Sequence, residues 1–164
     1  MIYLFFCTFY NMSNTILHYD MIGGKIKVNT LQKMFKNGYE KKPKNTNNID
    51  GYNIDKELSG SRAQVYYHPE TQHLVINHRG TKGVHDVITD IGLMFNHKSN
   101  NRFKHGKKIT DNALKKYDTV NVTITGHSLG HAIAQESNKD HKKELITLNG
   151  AITPYDKKLK DNEF

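Results

Sequence analysis

The spacing of hydrophobic positions changes along the chain, and the changes mark out its elements. Ala63-Gln64-Val65-Tyr66-Tyr67-His68 and Leu74-Val75-Ile76-Asn77-His78 are β-rich runs, separated by the turn-forming Pro69-Glu70-Thr71-Gln72. Together they predict a hairpin. Val84, Val87, Ile88, Ile91, Met94 and Phe95 then fall at helical spacing, which predicts a helix over about 84–96. A second helix is expected from about Lys107 to Tyr117, with Ile109, Ala113 and Leu114 inward. Lys115 and Lys116 stand in its last turn, where cations suit the helix dipole. Asn121–Thr125 reads as a strand by β-branched content, His131–Ser137 begins a helix, and Glu144–Leu148 is another strand. This alternation is that of an α/β sheet with crossovers.

The pattern is fainter upstream. Leu31 to Phe35 suggests a short helix, and Lys41–Asn48 has no apolar residue and reads as a loop. Asn96–His105 is expected to be a solvated loop, because its Lys/Asn/Ser content lacks the apolar face of an interfacial lid. The first ten residues, Met1–Tyr10, are the most apolar stretch. They lack the basic leader and small-residue cleavage site of a secretory signal, and Met12 offers an alternative start. These features divide the chain into an N-terminal extension of uncertain structure, residues 1–54, and a patterned domain, residues 55–164.

Composition narrows the functional classes. Hydrophobic residues make up 36% of the 164, below the roughly 45–50% of ordinary domains even when Gly is counted in place of Tyr. No apolar run approaches the length of about 18 residues that a membrane-spanning helix needs. A lone Cys7 excludes an intrachain disulfide framework and a multi-Cys zinc site. The net charge of +8 comes from scattered Lys. No zinc finger, RNA-recognition motif or basic helix accompanies it, so no specific nucleic acid is expected.

The chemistry lies in Gly126-His127-Ser128-Leu129-Gly130, a G-x-S-x-G sequence that directly follows a predicted strand and precedes a predicted helix. That is the setting of a nucleophile elbow, a turn tight enough to strain the serine backbone and to demand small residues on either side. The serine then sits at a helix N-terminus, where free N–H groups favour developing negative charge. His127 and His131 straddle the turn without a third ligand or adjacent carboxylate, so no metal is expected; nor is a cofactor.

Two further motifs accompany the elbow. His78-Arg79-Gly80-Thr81 closes a strand, and Asp86-Val87-Ile88-Thr89-Asp90-Ile91 follows it on a helix. In that order and spacing, the three segments resemble the class 3 (fungal-type) lipases over about residues 55–155. The resemblance implies an α/β-hydrolase-like sheet with flanking helices and a serine esterase or lipase acting on carboxylic esters or lipids, with transient contact with a lipid surface. It implies Ser128 as nucleophile, the backbone N–H groups of Thr81 and Leu129 as oxyanion hole, and structural roles for Arg79 and Asp90.

The sequence also departs from that family. His131 stands where Gly usually follows the elbow, and Val87 where Trp is common. No triad Asp and His are found downstream: His141 is expected at the far end of the elbow helix, and Asp156 and Asp161 have no histidine after them. A serine hydroxyl without an adjacent base is a poor nucleophile. Three readings therefore stand: a chain truncated before its closing strands, a base from elsewhere with His85 the nearest upstream candidate, or a catalytically inactive module that binds lipid or protein.

Overall fold

The computed structural model describes residues 21–22, 26–40, 48–80 and 101–150. Its elements are β1 (Met21–Ile22), β2 (Ile26–Lys27), α1 (Val28–Tyr39), β3 (Asn48–Ile49), β4 (Tyr52–Ile54), β5 (Ala63–His68), β6 (His73–His78), α2 (Asn101–Tyr117), β7 (Val122–Ser128), α3 (Leu129–Asn138) and β8 (Glu144–Gly150). Strands β3 to β8 form one six-stranded sheet in sequence order. It is antiparallel from β3 to β6 and parallel from β6 through β7 to β8. β1 and β2 form a separate small hairpin. The architecture is α/β, as the alternation of periods predicts.

Side chains alternate across the sheet and divide the core in two. Tyr66 and Val75 face one side, where Leu31, Met34 and Phe35 of α1 cover them. Val65, Leu74, Ile76 and Ile124 face the other, beneath Ile109 and Ala113 of α2 and Ala134 of α3. Leu74 and Ile76 are completely buried, which is worth about 2–3 kcal/mol each relative to exposure. The thin composition thus fills two compact half-cores rather than one large one.

The predicted hairpin is present, with Ala63 opposite His78 and His68 opposite His73. Other expectations need correction. α1 runs over twelve residues instead of a short piece at 31–35. Its inner face includes Thr30, Asn37 and Gly38, which hydrophobic periodicity does not register. Residues 101–105 are not loop but the first turns of α2, and Phe103 continues the buried stripe through Gly106, Ile109 and Ala113. The remainder of that expected loop lies outside the described residues, as does the helix predicted over 84–96. The sheet also runs across residue 55: β3 and β4 pair onto β5, and α1 caps the same core. No helix among the described residues is long and apolar enough to cross a membrane.

Candidate active site

β7 extends beyond its predicted end at Thr125 as far as Ser128, pairing with β8 through a register shift between His127 and Ser128. α3 begins at the next residue. The strand-to-helix reversal is therefore concentrated at Ser128, whose φ is 56° and ψ −126°, a conformation that costs a non-glycine residue on the order of 1–3 kcal/mol. Ser is a common helix N-cap, and a capping serine has an extended backbone with its hydroxyl bonded to the first turn. Ser128 has neither property, because its side chain makes no capping bond. The first turn of α3 carries no acidic residue to offset the positive end of its dipole.

The flanking glycines meet the steric demand. A β-carbon on Gly126 would overlap the Gly130 carbonyl group and come within 2.7 Å of the His131 amide. One on Gly130 would overlap the His78 carbonyl at the end of β6. His131 itself is buried in α3.

The end of β6 is brought against the elbow. A β-carbon on Gly80 would lie 2.7 Å from the His127 carbonyl oxygen and 3.2 Å from the Leu129 amide nitrogen. Leu129, the first residue of α3, is buried. Thr81, the other expected oxyanion donor, lies just beyond the described residues.

Tyr39, the last residue of α1, joins these parts. The Gly80 N–H donates to its hydroxyl oxygen at 3.0 Å, and the hydroxyl meets His127 Nδ1 at 3.0 Å. The His127 ring stands edge-on to the Tyr39 ring, 5.5 Å away, and the Arg79 guanidinium lies 5.8 Å from the Tyr39 ring centre. Arg79 also donates to the Gly38 carbonyl, and Arg102 donates to the Arg79 carbonyl. Burial raises the pKa of Tyr39 against the opposing pull of the Gly80 hydrogen bond and the two arginines. Burial lowers the pKa of His127 and favours its neutral form. Sequence reasoning missed Tyr39, since nothing in its neighbourhood signals a partner 88 residues away.

His78 and His141 are engaged away from the Ser128 hydroxyl. His78 is buried on β6 with Nε2 3.1 Å from Thr110 Oγ1. Burial, with repulsion from His105 and Arg102, pushes it down to about 4. His141 contacts Asp111 of α2 at 2.7 Å, beyond the C-terminal end of α3 and thus about 15 Å along the helix from Ser128. Among the described residues no imidazole is hydrogen-bonded to the Ser128 hydroxyl. Asp86, Asp90, His85, Asp156 and Asp161 all lie outside them. Among the described residues, no group of three or more His, Cys, Asp or Glu is placed to hold a metal ion.

No protein-family model matches the chain, and a comparison with curated proteins found no match. Among solved structures, the Lip2 lipase from Yarrowia lipolytica is similar at 19% identity and a TM-score of 0.41, covering 77% of this chain and 61% of that one. The chain thus spans less than two thirds of that lipase's length.

Proposed function

We propose that this chain is a serine carboxylic-ester hydrolase in which Ser128 is the nucleophile and the Leu129 and Thr81 amides form the oxyanion hole. The observation that carries the reading is the Ser128 backbone, at φ 56° between Gly126 and Gly130, with a hydroxyl that does not cap its own helix. Backbone strain of this kind clusters at active sites, and at Ser128 it coincides with the G-x-S-x-G turn. The Ser128 oxygen attacks the ester carbonyl carbon, and negative charge collects on the carbonyl oxygen beside the N-terminus of α3. The alcohol leaves with a proton, and water then releases the acid from the acyl-enzyme. The fold unit we assign to this activity begins at α1, because α1 and β3–β4 complete the sheet and its core.

Such chemistry requires a base to take the Ser128 proton, and the described residues place none there. That observation favours a second reading: a hydrolase-like module that binds an acyl ester or lipid without cleaving it. Hydrolysis of short-chain p-nitrophenyl esters by the purified protein and by S128A separates the two. The enzyme reading expects activity that falls by about a thousandfold or more in S128A. Turnover that is absent, or indifferent to S128A, leaves the binding reading.

A further inference from the structure

We infer that Tyr39 is a positioning residue, whose hydroxyl holds the loop after β6 in register with the nucleophile elbow. The inference rests on the ester-hydrolase reading of Ser128 and adds to it a residue that no motif marks.

The geometry is a closed circuit between three elements. The Tyr39 hydroxyl oxygen accepts from the Gly80 N–H at 3.0 Å and stands 3.0 Å from His127 Nδ1. Gly80 precedes the expected donor Thr81, and His127 precedes Ser128. One hydroxyl therefore ties together the residues immediately upstream of the oxyanion loop and of the nucleophile. A phenol has a single proton to donate. With Gly80 donating to the oxygen, the contact to His127 Nδ1 is made either by that proton or by an Nδ1–H donating to the oxygen's remaining lone pair, as the His127 tautomer sets. The ring of Tyr39 is itself held between the His127 edge and the Arg79 guanidinium, and Arg79 is anchored on the Gly38 carbonyl of the same helix. Phe35, one turn earlier, packs 6.2 Å from the His127 ring.

This arrangement matters because an oxyanion hole works only when its donors are fixed before charge develops. Gly80 stands so near the elbow that a β-carbon there would lie 2.7 Å from the His127 carbonyl oxygen and 3.2 Å from the Leu129 amide nitrogen. The Arg79–Gly80 peptide is held from both sides, its N–H by the Tyr39 hydroxyl and its carbonyl by Arg102, so without the Tyr39 hydroxyl the Gly80 amide loses its acceptor and only the Arg102 bond remains among the described contacts to that peptide.

The test compares wild type and Y39F as full chains, with two readouts. The first is the second-order rate at which a fluorophosphonate probe labels Ser128. The expected result is a loss of about tenfold or more in Y39F, with circular dichroism unchanged and a thermal midpoint within a few degrees of wild type. A Y39F rate within about twofold of wild type in the folded protein overturns the inference.

The second readout needs no activity: nitrogen chemical shifts of the His127 ring at neutral pH. Ring nitrogen shifts that move in Y39F support the circuit, and shifts identical in wild type and Y39F overturn it. If wild type is not labelled at all, the hydrolase reading fails and takes the positioning role with it. The ring shifts then still decide whether the hydroxyl contact exists.

Discussion

Gly130 lies so close to His78 that a methyl group on its α-carbon would overlap the His78 carbonyl oxygen. The relationship ties the first turn of α3 to the end of β6, and so ties the elbow to the loop expected to complete the oxyanion hole. Relief requires backbone movement, because the obstacle is a main-chain carbonyl. Gly130→Ala should therefore destabilise the fold by at least about 2 kcal/mol and sharply reduce any Ser128 reactivity that remains. Gly126→Ala should behave alike, since its β-carbon meets the Gly130 carbonyl. Urea midpoints within experimental error of wild type for both would remove the steric basis of the elbow.

The strain at Ser128 predicts a separation of stability from function. Glycine occupies positive φ freely, whereas alanine carries the same penalty as serine. Ser128→Gly should raise stability by about 1 kcal/mol, while Ser128→Ala should not raise it, and both should abolish labelling. A Ser128→Gly protein less stable than Ser128→Ala would argue that the serine backbone is not held under strain.

How much of this was legible in the sequence depended on whether a pattern was local. The β5–β6 hairpin could be read almost to the residue, because alternation and a Pro-containing turn are contiguous signals. The strand-to-helix turn at Ser128 could be read because sterics restrict Gly126 and Gly130 on either side of it. α1 was underestimated, since the inner positions Thr30, Asn37 and Gly38 are buried by tertiary contact without being apolar. β3 and β4 were invisible, being strands of two and three residues held by pairing to β5. Tyr39 was illegible for a deeper reason: its significance lies in two hydrogen bonds to residues 41 and 88 positions away.

A polar relay lies on the sheet near the opposite end of β7. Tyr52 meets His73 Nδ1 at 2.7 Å, His73 Nε2 meets Thr123 Oγ1 at 2.9 Å, and Thr123 donates to Glu144 at 2.6 Å. Because Thr123 donates to a carboxylate, it accepts from His73, and His73 in turn accepts from Tyr52. Thr123→Val preserves shape and breaks the middle of the chain. It should cost about 1–3 kcal/mol in chemical denaturation while leaving the Ser128 reactivity of the folded protein unchanged. A neutral substitution would show that the relay contributes nothing to stability.

His78 makes stability depend on pH. Its folded pKa is pushed down to about 4, whereas an unfolded histidine titrates at about 6.5. Between those values the unfolded chain binds a proton that the folded protein refuses. The contribution is complete above about pH 6.5, declines as pH falls towards 4, and levels off below that, by up to about 3 kcal/mol in all. Urea midpoints measured from pH 7 to pH 4 should fall less steeply in H78Q than in wild type. Equal slopes would mean that His78 is not buried in its neutral form.

The central claim is that Ser128 is a nucleophile, and the most direct measurement is where a fluorophosphonate attaches. After the full chain is treated with the probe, digestion and peptide mass spectrometry should locate one phosphonyl adduct on Ser128, absent from S128A and lost on prior unfolding in urea. No adduct on Ser128 under conditions that label a control serine esterase to completion would contradict the account and leave the chain an α/β fold without the chemistry.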